Sequence, residues 1–356
     1  MIYDCVIIGA GQAGLCLASF LTKKNITVLI LERDERIGDV WRRRPDSMRL
    51  FTPRAMDQLP GLIMAGDQKG YPDKHEVADY LESYAQHNNL HVLLNKNVYS
   101  VEYNDKIYSI KTQDGETFQA KCLVNATGAN QKVNVLDISR DIPAEIQQMT
   151  IDQYQNPKQL SSKNIAIIGD GASGRQAAKE LAETHHNVTL FCGSPRPFTP
   201  QELFGINTLV LFKKMSILNS DSRNIIGRWL RKRNFIPCNN ITNKILKKKG
   251  VRLYSKFTSV DGKKLISDRG ENCEPHIVIW SLGYKEDTDW LTIPDSSNSD
   301  GFICQIGHDV GGKTPYPDLF IVGRKWLSCR ASELIYGCVK DAQRVANFVE
   351  MALKNK

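Results

Sequence analysis

A chain of 356 residues, 41% hydrophobic and 24% charged, has the balance of an ordinary globular protein with room for about two domains. No run of about 18 or more apolar residues occurs, which excludes a helix crossing a bilayer. The net charge of +8 is modest for the length, and an odd count of nine cysteines without any CxxC pair argues against a disulfide framework or a thiolate metal site.

The opening MIYDCVIIGAG has no basic leader and no cleavage site. It reads as a strand over residues 3–8, and a cytoplasmic location is expected. The turn Gly9-Ala10-Gly11-Gln12-Ala13-Gly14 follows, then a helical pattern over 15–23 and a second strand over 26–31. In such a turn the first glycine permits the bend, the second lets backbone approach a pyrophosphate, and the third lets helix and strand pack closely. Glu32 closes the second strand, where an acid accepts hydrogen bonds from a ribose diol. This suits the adenosine half of FAD, with Gln12, Ala13 and Arg33 alongside.

The same grammar returns later. A strand over 164–168 runs into Gly169-Asp170-Gly171-Ala172-Ser173-Gly174, then a helix over 176–184 and a strand over 188–191. At the offset that Glu32 holds from Gly14, this copy has Cys192, followed by Gly193, Ser194, Pro195 and Arg196. The acid is missing and a guanidinium stands near, as a ribose 2′-phosphate requires. An NADPH site is expected, with Gly169, Gly171, Ala172, Ser173, Gly174, Ser194 and Arg196 as its residues; an arginine merely beside a surface turn is the alternative. Residues 200 to 256 carry thirteen Lys or Arg against Glu202 and Asp221, so all of the net positive charge resides there. A solvated basic face and, through 213–256, a peripheral contact with an anionic membrane both stay open. Nucleic-acid binding is not expected, because aromatics are few there and no recognised module appears. No HExxH accompanies the seven histidines and no metal is expected.

Beyond the two turns, the chain resembles the small bacterial flavin monooxygenases, including the CzcO-like group, and more distantly the plant YUCCA and Baeyer–Villiger enzymes. The resemblance runs through GAGQAG with Glu32, GDVWRRRPDSMRLFTP, YPDKHEVADYLESYA, VNATGAN, GDGASG, SLGYKEDTDWL and FIVGRKWLSCRASELIYGCVKDA. It implies an α/β architecture of two Rossmann-like domains, with the NADPH domain inserted in the FAD domain: residues 1–155 FAD, 156–288 NAD(P)H, 289–356 the return to FAD. By the same resemblance Trp41, Arg49, Leu50 and Phe51 line the isoalloxazine, Val98 and Leu334 join the FAD site, and Gly323 approaches the ring. The helix opening near Ser332 aims at its pyrimidine edge. The chain crosses between domains at Ala126-Thr127-Gly128 and at Leu282-Gly283-Tyr284. Two departures stand out. Thr150 occupies the place of an expected histidine, and Phe51 that of an asparagine found in larger members.

The resemblance therefore implies an FAD-dependent NADPH oxidoreductase, a monooxygenase that forms a C4a-(hydro)peroxyflavin from O2 and oxygenates a small soft nucleophile or carbonyl compound. The cofactor does the bond-making in such chemistry, so the catalytic candidates are few: Arg49, Phe51 and Thr150. A flavin oxidase or reductase without oxygenation and a nucleotide-binding redox sensor without turnover remain alternatives, as does a disulfide reductase, which without a CxxC would need a single-cysteine mechanism. Substrate identity and oligomeric state are left open.

Overall fold

The computed structural model describes residues 1–194, 198–221, 224–233, 236–237, 241–294, 296 and 311–356. The chain opens with β1 (Ile2–Ile8), α1 (Gln12–Thr22), β2 (Val28–Leu31), α2 (Asp39–Arg42), α3 (Lys74–His87) and β3 (Val92–Leu93). A meander of β4 (Val98–Asn104), β5 (Ile107–Thr112) and β6 (Thr117–Asn125) follows. These strands form a sheet in the order β3-β2-β1-β6-β5-β4, parallel from β3 to β6 and antiparallel in the meander.

The chain then crosses through β7 (Lys132–Val133) into β8 (Gln147–Thr150), β9 (Asn164–Ile168), α4 (Ala172–Glu183) and β10 (Asn187–Phe191). Next come β11 (Phe198–Thr199), the hairpin β12 (Glu202–Leu203) and β13 (Ile206–Asn207), α5 (Thr208–Lys214), α6 (Ile225–Arg233), β14 (Ile236–Pro237), α7 (Asn243–Lys248) and β15 (Arg252–Tyr254). A small antiparallel unit, β16 (Phe257–Asp261), β17 (Lys264–Ser267) and β18 (Asn272–Cys273), precedes β19 (Ile277–Trp280) and β20 (Tyr284–Lys285). Strands β15-β10-β9-β19-β8 make a second sheet, parallel throughout. Finally β21 (Leu319–Ile321) pairs with β6 and α8 (Ile335–Lys354) packs on α1, so the chain returns to the first sheet. The second fold is inserted in the first, and the two crossings pair with each other as antiparallel β7 and β20.

Parallel strands buried on both faces read as continuous apolar runs, which is why Val6 to Ile8 and Ile165 to Ile168 alternate so little. One face of the first sheet is covered by α1, α3 and α8, burying Leu15, Leu17, Leu81 and Val345. On the other face Val6, Ile8, Leu29 and Leu31 share one apolar cluster with Val101, Tyr108 and Ile110 of the meander strands. No helix among the described residues is long and apolar enough to cross a membrane.

Both glycine-turn helices start earlier than periodicity suggests, at Gln12 and Ala172, with the extended residues Gly11 and Gly171 as N-caps. The apolar pattern begins only where the helix meets the core, so it misses the first turn. Neither N-terminus has a side-chain cap, which leaves free backbone N–H groups at both.

Candidate functional site

The two turns are the same device built twice. Gly9 has φ +107, and a Cβ there would meet Ala126 O at 2.7 Å; Gly169 has φ +110, and its Cβ would meet Ser281 O at 2.3 Å. The third glycines are tighter: a Cβ on Gly14 or Gly174 would stand 2.1 Å from the carbonyl oxygen of Gly9 or Gly169. The middle glycines differ, since nothing lies within 4 Å of a Cβ on Gly11 or Gly171. Those middle positions open onto space where a phosphate can approach a helix N-terminus, the geometry that binds anions through backbone N–H groups and the helix dipole.

At the first turn Gly9, Gly11, Gln12, Ala13, Glu32, Arg33, Trp41, Val98, Ala126, Thr127, Gly128 and Gly323 line one cavity of about 400 Å³. Glu32 holds its edge: Oε2 accepts from Ala10 N at 2.6 Å and Oε1 from Asp34 N at 3.0 Å. Burial pushes the Glu32 carboxyl above its usual range, while the two backbone N–H groups oppose that shift. The indole Nε1 of Trp41, in the cavity wall, is a buried donor with no protein partner. Gln131 braces the first crossing, donating to Thr127 Oγ1 at 2.7 Å while its Oε1 accepts from Asp287 N at 3.0 Å. Arg44, also in the wall, donates to Tyr284 Oη at 3.3 Å and lies 5.7 Å from that ring. Thus the wall of the first cavity reaches the second crossing.

At the second turn the charge arrangement is new. Asp170 Oδ1 accepts from Gly193 N at 3.0 Å, and its Oδ2 accepts from Arg175 Nη2 at 3.1 Å. Arg175 is 1% exposed and also donates to Asp170 O, Ile241 O and Asn243 Oδ1. In the first copy an acid on the strand end holds the turn; in the second an acid in the turn holds the loop after the strand. Sequence reasoning passed over Asp170 and Arg175, although aligning the copies sets them against Ala10 and Leu15. Two charges of opposite sign at core-facing positions were the available signal. Ser194 lies exposed after this loop, and Arg196 falls outside the described residues. Ala172 and Ser173 open α4, and Leu282 and Gly283 follow β19, with Leu282 against Gly169.

The remaining candidates are dispersed. Arg49 is exposed, donating to Tyr71 O at 3.4 Å; Leu50 is buried in the first core; Phe51 O accepts from Asn207 Nδ2 at 2.9 Å. Thr150 ends β8 in the second sheet, and both its N and Oγ1 donate to Gln153 Oε1. None of Arg49, Phe51 and Thr150 lines the cavity. Ser332 is fully buried with its hydroxyl accepting from Ser328 N and Cys329 N, and Leu334 borders a small apolar cluster. Sequence also gave no sign of the buried pair Arg324 and Glu286, joined at 2.5 Å, which ties the residue after Gly323 to the second crossing. Of the seven described cysteines six are buried and Cys192 is half-buried, and none lines the cavity.

Comparison with known proteins agrees with this geometry. Residues 6–201, more than half of the chain, match the family described as pyridine nucleotide-disulphide oxidoreductase. A relative named an uncharacterized CzcO-like oxidoreductase, from Geobacillus kaustophilus, is 34% identical over 97% of this chain and 98% of its own length. A flavin-containing monooxygenase from Stenotrophomonas maltophilia superposes with a TM-score of 0.82 at 23% identity, covering 99% of both chains. The structure of OTEMO in complex with FAD and NADP has a TM-score of 0.72 at 16% identity, over 99% of this chain and 85% of the other.

Proposed function

Because the chain belongs to the pyridine nucleotide-disulphide oxidoreductase family, we propose that it is an FAD-dependent NADPH oxidoreductase acting as a monooxygenase on a small soft nucleophile or carbonyl compound. The observation that carries this reading is the pair of glycine turns, each with an uncapped helix N-terminus and an open middle glycine. The residues present fit the cofactor: Gly11 leaves room for a pyrophosphate, Glu32 offers a half-buried carboxylate to a ribose diol, and Trp41 presents an unpaired N–H in the cavity wall. When bound, FAD supplies hydride acceptance from NADPH and the activation of O2.

The protein's own contribution is binding, orientation and exclusion of water. Gly9, Gly11, Gln12, Ala13, Gly14, Glu32, Arg33, Trp41, Val98, Ala126, Thr127, Gly128 and Gly323 hold FAD in this proposal, with Arg49, Leu50, Ser332 and Leu334 around its far end. Gly169, Gly171, Ala172, Ser173, Gly174, Ser194, Arg196, Leu282 and Gly283 hold NADPH. Residues 1–155 and 289–356 form the FAD domain and 156–288 the nucleotide domain of a cytoplasmic enzyme, except that β8 (Gln147–Thr150) pairs into the second sheet and so goes with the nucleotide domain. Besides a small substrate and O2, its partner is an anionic membrane touched by the basic stretch 213–256. The test is aerobic NADPH oxidation by the yellow protein with thioethers, amines and ketones under labelled O2. Label in the product supports the proposal. Conversion of all consumed O2 to peroxide with every acceptor would replace it by the oxidase alternative, and bound flavin without NADPH consumption by the sensor alternative.

A further inference from the structure

Between β11 and β14 the chain leaves the second sheet and carries large apolar side chains that are exposed to solvent on two of its elements, the β12–β13 hairpin and α6. The β12–β13 hairpin turns through Phe204 and Gly205, both left-handed, with φ 54 and 73. Such a two-residue turn favours Asn-Gly, because a bulky side chain gains nothing there and strains the backbone. Phe204 is nonetheless 99% exposed at its tip. Further along, α6 buries only Gly227 and Leu230 among its described side chains, leaving Ile225 at 79%, Ile226 at 48% and Trp229 at 49% exposure. Arg228, Arg231 and Lys232 of the same helix and Lys214 at the end of α5 are exposed as well.

This stretch is well anchored on the protein. Leu218 is buried with Met56, Cys329 and Ala331, Lys213 Nζ lies 4.1 Å above the Tyr336 ring, and Asn207 holds the carbonyl of Phe51. A stretch so anchored is not a loose loop. Its exposed composition, long apolar side chains interleaved with cations and almost no acid, complements a surface that is oily below and negatively charged above.

We propose that residues 203–221 and 224–232 carry a docking face for an anionic phospholipid bilayer, with Phe204, Ile225, Ile226 and Trp229 inserted at the acyl boundary and Lys214, Arg228, Arg231 and Lys232 among the phosphates. This deepens the membrane contact of the proposed function by assigning it to insertion at this stretch; the cations of α7 lie outside it. Docking needs no turnover, so its test is independent of the redox reading.

The holoprotein is sedimented with vesicles of phosphatidylcholine alone or with about one third phosphatidylglycerol, at low salt and at about 0.15 M, where the screening length is roughly 8 Å. Binding to the anionic vesicles only, weakened by salt, is expected, with a blue shift of tryptophan emission that Trp229→Phe removes. Phe204→Ser and Ile225→Ser each weaken partition on the order of tenfold. Both side chains are exposed in the free protein, so flavin content and melting temperature stay unchanged. No sedimentation with phosphatidylglycerol vesicles at low salt overturns the proposal. So does binding that both serine variants leave intact, because attraction would then be electrostatic without insertion.

Discussion

Replacing Asp57 by asparagine should flatten part of the pH dependence of stability, with a sign set by its burial and a size of a few kcal/mol. Asp57 is 1% exposed; its Oδ1 accepts from Thr52 Oγ1 at 2.8 Å, and its Oδ2 is buried with no partner. Burial pushes its carboxyl up to about 8, against a small opposing effect of the Thr52 bond. In the unfolded chain the same group titrates at about 3.9, as a free aspartate does. Between about pH 4 and pH 8 the folded state therefore carries one proton that the unfolded state has lost, and stability falls as pH rises. The slope is about 1.4 kcal/mol per pH unit, and over the whole window the loss is on the order of 5 kcal/mol. Below that window the penalty vanishes; above it the penalty is complete and constant. In Asp57→Asn the amide oxygen would accept from Thr52 in the same way, and the side chain would never ionise. Urea unfolding of both proteins, at fixed FAD and at steps across the window, reads the difference: the variant gains on the wild type as pH rises. A difference that does not change with pH would refute the reasoning, because other titrating groups cancel between the two proteins.

The glycine turns should separate fold from cofactor. Gly14→Ala sets a Cβ against the Gly9 carbonyl and costs about 3 kcal/mol or more, whereas Gly11→Val, on extended backbone facing open space, leaves the melting temperature of the apoprotein unchanged but abolishes flavin colour; loss of the apo fold in Gly11→Val would count against the reading. Arg175→Leu leaves Asp170 buried without its cation and costs roughly 3–5 kcal/mol, and the double variant Asp170→Ala with Arg175→Leu, copying Ala10 and Leu15, should recover most of it in thermal melts. A double variant no better than the single one would show that the pair is not coupled. At the second nucleotide site Arg196→Ala should raise the Michaelis constant for NADPH on the order of 10- to 100-fold and leave NADH unaffected; equal losses with both nucleotides would make Arg196 a structural residue.

What the sequence made legible is what local chemistry dictates. A glycine that must pass Ala126 O or Ser281 O at short range cannot be another residue, so both turns announce themselves, and the apolar strands on either side give each turn its context. The strand-end carboxylate of Glu32 is placed by the same unit, since β2 lies parallel beside β1 and sets it against the turn that β1 delivers. The resemblance supplied the rest of the topology. Contacts joining residues far apart in the chain left no periodic trace: Arg44 on Tyr284, Arg324 on Glu286, Asn207 on Phe51. Nor did β8 signal its sheet, since four residues are too few to carry a period, and only its pairing with β19 puts Thr150 on the nucleotide side.

The comparison of the two copies goes a step further than either alone. Backbone is preserved between them almost glycine for glycine, yet the charges are placed differently, with the acid at the strand end in one and inside the turn in the other. A carboxylate withdrawn from water must be satisfied locally, and each copy does so with a backbone N–H across the turn: Ala10 N for Glu32, Gly193 N for Asp170. Moving the acid into the second turn leaves the end of β10 without one, and the buried guanidinium of Arg175 neutralises the acid where it now sits. The missing strand-end acid that pointed to NADPH is thus accompanied by a relocated acid that is paired and turned toward the protein. Such an arrangement keeps the loop after β10 anchored without setting an unpaired negative charge against a 2′-phosphate, which is why the preference for NADPH is expected to survive the presence of Asp170.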